Sequence, residues 1–205
     1  MDRNLRRTSI LMLLMAAVLL VIGCATDKTP LGPAVSSSVS SNTSVVGTFQ
    51  YPPLASDLAR IPAGFRALSF AAPRLDDHRC DSIATARRCR DDHTQTLNLR
   101  DLVSVRISSG DLSSDTVVTI IAPEGCVAAA DFYPHPYHFN GTVEITWNIH
   151  SLNLPRDYDY SQIVPWYVTE DGQYVPLQYA WLNGHDFLQV YTNHFSRYIL
   201  GTPVE

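Results

Sequence analysis

Val143, Ile145, Trp147 and Ile149 alternate with Glu144, Thr146, Asn148 and His150, and this period-two run constrains the fold more than any other feature of the chain. Successive side chains of a strand point to opposite faces. Such a run is therefore a half-buried antiparallel strand, with one face on a core and one in water. The pattern recurs upstream. Leu97, Leu99, Val103, Val105 and Ile107 share one parity against Asn98, Arg100, Ser104 and Arg106, and Asp101 interrupts the apolar side as a bulge or a break between two strands. Residues 116–121 are β-branched almost throughout, and residues 163–168, 174–179, 187–192 and 195–200 complete the series. Asp171-Gly172 and Asn183-Gly184 lie between such runs, and both pairs accept the positive φ that tight hairpin turns require. Short strands at this spacing, with no helical period between them, predict an all-β fold, an antiparallel β-sandwich over residues 97–205. Helix is expected nowhere except between residues 80 and 89.

Upstream of the strands the chain changes character twice. Residues 1–23 open with Arg3, Arg6 and Arg7, run uncharged from Ile10 to Ile22, and end on Gly23 directly before Cys24. A basic start, a short apolar middle and a small residue before the break mark a secretory signal peptide. The apolar run falls short of the roughly 20 residues of a spanning helix. With a cysteine right after the small residue, the stretch resembles the lipobox of bacterial lipoproteins. That resemblance implies cleavage between Gly23 and Cys24, lipid on the Cys24 thiol, acylation (palmitate) of the new amino terminus, and a place in the bacterial cell envelope. Several acyl chains make a stable anchor, so the membrane is the expected partner of Cys24. In lipoprotein sorting an Asp directly after the cysteine signals retention at the inner membrane. Here Ala25 and Thr26 precede Asp27, which favours the outer membrane.

Residues 24–46 are dominated by Ser, Thr, Pro, Gly and Val, with no period that would bury a face, and read as a flexible tether. Residues 47–96 carry scattered apolar positions with Pro52, Pro53, Pro62 and Pro73, and read as an irregular or edge-strand lead-in. Removing residues 1–23 takes three Arg and one Asp from the 15 basic and 20 acidic side chains, leaving 12 and 19 and a formal charge of −7. Nucleic acid, which is bound through clustered Lys and Arg, is excluded as a partner. About 180 residues suffice for one domain with a core.

Once Cys24 carries lipid, Cys80, Cys89 and Cys126 remain. Paired thiols oxidise outside the cytoplasm, so a disulfide closing the short loop from Cys80 to Cys89 is expected, stabilising by roughly 2–3 kcal/mol. Cys126, in the run Cys126-Val127-Ala128-Ala129-Ala130, then behaves as a small buried hydrophobe. Pairings through Cys126 stay open.

Together the strands spell out a recognisable order: Ser114-Asp115-Thr116-Val117-Val118-Thr119-Ile120, then Phe132-Tyr133-Pro134-His135, then Phe139-Asn140 before Val143-Glu144-Ile145-Thr146. Trp166-Tyr167 follows, then Asp171-Gly172, and Asn193-His194-Phe195-Ser196-Arg197-Tyr198 closes the series. Over roughly residues 97–201 this resembles the β-sandwich domain shared by zonula occludens proteins, netrin receptors and ankyrins, in the form carried by bacterial secreted and lipid-anchored proteins. The resemblance implies an interaction or structural module rather than an enzyme, with an envelope or surface protein as partner and no cofactor.

It also implies one alternative. Some members of that family cut their own backbone inside a His-Phe-Ser motif. In this chain Ser196 would attack the carbonyl of Phe195 and His194 would accept the hydroxyl proton. A strained peptide between Phe195 and Ser196 would drive the acyl shift. The competing expectation is structural: Phe195 and Ile199 fill the sandwich on one parity, Tyr198 anchors a strand end by its hydroxyl, and His194 bonds locally.

Three other constellations carry weaker chemistry. His78, Cys80, Cys89 and His93 offer two nitrogens and two sulfurs, but the eight residues between the cysteines are too many for usual zinc spacing, and the disulfide is expected instead. No metal is assigned. Tyr133-Pro134-His135-Pro136-Tyr137-His138-Phe139 is expected to be a rigid turn packing rings against a sandwich end, with an exposed docking surface as the other reading. Asp157-Tyr158-Asp159-Tyr160 supplies too few carboxylates for calcium.

Overall fold

The computed structural model describes residues 51–71 and 81–204; the segments read as signal peptide and tether, with Cys24, His78 and Cys80, lie outside them. Among the described residues twelve strands form two antiparallel sheets, the all-β sandwich expected. The larger sheet takes β2 (Ile83–Cys89), β5 (Thr116–Ala122), β6 (Ala129–Tyr133), β12 (Arg197–Pro203), β8 (Val164–Val168) and β9 (Tyr174–Pro176) in that order, with β1 (Phe65–Ala67) paired to β12. The smaller runs β10 (Tyr179–Leu182), β11 (Phe187–Phe195), β7 (Tyr137–Asn148), β4 (Val103–Ile107) and β3 (Gln95–Leu99). No helix among the described residues is long and apolar enough to cross a membrane.

The alternating strands behave as their parity requires. Val103, Val105, Ile107, Val143, Ile145 and Trp147 face inward from the smaller sheet and meet Val118, Ile120, Phe132, Tyr198 and Leu200 from the larger one. Asp101 falls in the turn between β3 and β4, so the interrupted parity is a break between strands, with Arg100 at a φ of 48°. Both turns read from sequence occur. Gly172 has a φ of 79° between β8 and β9, and Asn183 and Gly184 have φ of 50° and 74° between β10 and β11.

The sandwich begins earlier than residue 97. β1, β2 and β3 draw on the stretch read as a lead-in, and the segment thought open to helix is the extended β2. Its edge position explains the misreading. Ile83, Thr85 and Arg87 share the inward parity of Cys89, and neither parity is apolar enough to stand out. β6 is buried on both faces and so shows no alternation at all.

A second, smaller core lies on the outer face of the larger sheet. There Leu54 of the short helix α1 (Leu54–Leu58) packs on Ala129, Val168 and Ile199. Gly201 of β12 marks how closely this face is covered: a Cβ there would stand 2.1 Å from the Trp166 ring and 3.0 Å from the Arg66 carbonyl oxygen. Gly201→Ala is therefore expected to destabilise by about 1–3 kcal/mol through overpacking, measured as a shift in the urea midpoint at unchanged slope.

Cys89 ends β2 with its side chain turned into the core, 1% exposed. Cys126 is disulfide-bonded rather than the small buried hydrophobe expected. The expected Cys80–Cys89 disulfide involves Cys80, which lies outside the described residues.

Candidate functional site

The His-Phe-Ser motif sits where the chain leaves one sheet for the other. β11 runs along β7 until Phe195 pairs with Tyr137, Ser196 belongs to neither strand, and β12 pairs with β6 and β8 from Arg197 onward. This crossing resets the parity. Phe195 and Tyr198 both enter the main core, whereas Ile199 turns to the outer one, so Phe195 and Ile199 do not share a face as expected. Tyr198 does anchor the junction through its hydroxyl, which donates to the His194 carbonyl at 2.6 Å.

Ser196 is buried, and its hydroxyl donates to the main-chain carbonyl of Val168 at 2.6 Å. No hydrogen bond joins it to His194 among the described residues. The His194 ring instead places Nδ1 at 3.2 Å from Thr192 Oγ1 and 3.1 Å from Asn193 Oδ1, and meets the Tyr167 ring edge-on at 4.8 Å. Burial lowers the His194 pKa below the usual imidazole value, and His138 and His135 nearby lower it further. A lowered histidine pKa means the unfolded chain binds the proton first. Stability is then complete above the ordinary value and declines as pH falls through the folded one. His194→Gln is expected to flatten the fall in melting temperature between about pH 6.5 and pH 5, read by calorimetry at fixed salt.

Two partners of the motif were not singled out from sequence. His135 is buried and donates a hydrogen bond from Nδ1 to the Phe195 carbonyl oxygen at 2.6 Å. Its ring also lies 4.9 Å from that of Tyr51, and Nε2 stands 3.5 Å from Glu170 Oε1. The ring-rich run is thus a packed turn, with Tyr137 and Phe139 against Phe195.

The second partner is Arg197. Its guanidinium donates to both oxygens of Asp131 at 2.6 and 2.7 Å, to Asp57 Oδ2 at 2.6 Å and to the Pro52 carbonyl at 2.8 Å. It lies 5.2 Å from the centre of the Tyr51 ring. Burial works against the charge on Arg197, and the two carboxylates outweigh it, so its pKa stands above normal. Tyr174 donates to the Asp57 carbonyl, and burial, then Asp57, pushes its pKa up to about 12. The group clips the stretch from Tyr51 through α1 onto the sheet. Its signal in the sequence was a charge inside each of two apolar strands, Asp131 in β6 and Arg197 in β12.

The remaining candidates separate. His93 is exposed and bonded to Asp92, while Cys89 faces the core; Cys24, His78 and Cys80 lie outside the described residues. Among the described residues no cluster of three or more His, Cys, Asp or Glu has a metal-holding arrangement. Asp159 caps a short 3-10 turn, and hydrogen bonds from Ser161 hold its carboxyl below the usual range. No protein-family model matches the chain, and no curated protein matches it.

Proposed function

We propose that the chain is a lipid-anchored cell-envelope protein, held to the membrane through Cys24, whose β-sandwich is a non-catalytic structural or adhesive binding module. The observation that carries the non-catalytic half is the Ser196 hydroxyl, which is committed to the Val168 carbonyl and not to a base. The lipobox-like run before Cys24 and the Ser-rich tether carry the anchored half. The expected partner is an envelope or surface protein component.

A second reading keeps one specific observation. The Phe195 carbonyl accepts a hydrogen bond from His135 at 2.6 Å, and a donor at that oxygen favours attack on the carbonyl carbon. In that reading Ser196 cuts the chain after Phe195.

One measurement tests both. The denatured intact mass of the full chain, recovered from membranes of the producing cell, is expected to show a lipid-bearing amino terminus at Cys24 and an unbroken carboxyl end. Loss of residues 196–205, abolished in Ser196→Ala, would establish self-cleavage instead. A chain without lipid at Cys24 would remove the anchor.

A further inference from the structure

The outer face of the smaller sheet carries rows of side chains that cross its strands. One row runs through Gln189, Thr146, Ser104 and Asn98, each directly opposite the next in register. Beside it Phe187 stands opposite Asn148, and on the other side Tyr191 stands opposite Glu144, itself opposite Arg106. The face therefore has amides and hydroxyls across its middle and an aromatic ring on β11 in each flanking row.

A flat sheet face offers no concavity, but this one does. The turn carrying Arg100 and Asp101 is tied to β7 by the main-chain N–H of Asn148, which donates to the Leu102 carbonyl at 2.9 Å. The turn walls a groove of about 310 Å³, whose floor includes Asn98, Ser104, Thr146 and Asn148 and which Phe187 borders.

Charge narrows the ligand. Arg106 is ion-paired to Glu144 at 3.0 Å, and the charge of Arg100 is opposed by that of Asp101 next to it, so the face has no net charge to attract phosphate, carboxylate or ammonium. The polar groups have capacity to spare. Among the described residues no side-chain hydrogen bond joins Asn98 or Ser104 to a partner, and both line the groove. Asn148 uses Oδ1 for the His150 amide, leaving its NH2 group for a ligand. Amides and hydroxyls in a row match the vicinal hydroxyls of a sugar, each able to donate and accept. An aromatic ring at the groove's end suits the apolar C–H face of a pyranose. At the usual strand spacing, Asn98 to Gln189 spans about 14 Å, close to three sugar units in a chain.

We infer that this groove binds a neutral oligosaccharide, using Asn98, Ser104, Thr146 and Asn148 as hydrogen-bonding groups and Phe187 as a stacking platform. The inference names a ligand class for the binding-module reading and rests on it.

The test is isothermal titration of the full chain with cellohexaose, chitohexaose and maltohexaose, and with an oligogalacturonate as the anionic comparison. Saturable binding of at least one neutral chain is expected, weakened about tenfold or more by Phe187→Ala and by Asn98→Ala. Asn98 is exposed, so its variant keeps the test valid should Phe187→Ala lower stability. No saturable binding, binding unchanged in Asn98→Ala, or equal binding of the anionic chain would each overturn the inference. The intact mass of the same sample separates the two failures: a chain cut after Phe195 defeats the module reading, whereas an intact chain that binds no sugar defeats only the groove.

Discussion

Replacing Arg197 with methionine is expected to destabilise the fold by about 3–5 kcal/mol, the usual loss when one partner of a buried ion pair is removed. Both Arg197 and Asp57 have side chains 3% exposed, and Asp131 is 7% exposed, so neither carboxylate can turn to water when the guanidinium is gone. Two uncompensated charges would then share one buried site. Burial already raises the Asp131 pKa, and the hydrogen bonds from Arg197 offset this only in part. Arg197→Lys is expected to recover only part of the loss, since an ammonium cannot serve both Asp131 oxygens and Asp57 with the geometry of a planar fork. Asp57→Asn in the Arg197→Met background should restore stability by removing one of the stranded charges. Urea denaturation of the four chains measures this. A loss under about 1 kcal/mol in Arg197→Met would mean that the clip between the amino-terminal stretch and the sheet contributes little.

Phe195→Ala carries a comparable cost, about 3–5 kcal/mol, for a different reason. The ring is fully buried and contacts Phe132 with centroids at 5.5 Å and Phe139 edge-on at 4.7 Å. Truncation removes the ring's transfer free energy and leaves a cavity bounded by rigid aromatic neighbours, which collapse poorly. Phe195→Leu, keeping most of the volume, should cost under about 1.5 kcal/mol. If both variants unfold at the wild-type midpoint, Phe195 does not couple the two sheets, and its place between His194 and Ser196 would need another explanation.

The two variants separate what the His-Phe-Ser-Arg segment does in the fold. Phe195 holds the sheets together from inside, Arg197 holds the amino-terminal stretch on from outside, and Ser196 ties the crossing to β8. Each acts through burial or a hydrogen bond that is already satisfied.

Much of this architecture was legible in the chain because period two is a local property. β3, β4, β7 and β11 have one face on the core and one in water, so their sequences alternate, and the turn pairs Asp171-Gly172 and Asn183-Gly184 announce their own backbone angles. Where both faces are covered the signal vanishes. Ala129–Tyr133 is buried almost throughout because α1 and the residues beside it lie over the sheet, and no local rule reports a cover that comes from 70 residues away. Ile83–Cys89 fails for the opposite reason: as an edge strand it needs little apolar surface.

The site divides along the same line. Sequence alone determined that His194, Phe195 and Ser196 follow one another, and that the period-two runs over residues 95–107 and 143–148 are strands. Only the tertiary structure decided that the chain changes sheets at Ser196, which turns its hydroxyl toward Val168 and away from His194. Only there do His135 and Phe195, 60 residues apart, meet at a hydrogen bond, and Asp57 and Asp131 converge on Arg197. A strand's parity is set by its neighbours in sequence, but a hydrogen bond across sheets or a buried ion pair is set by which strands the fold brings side by side.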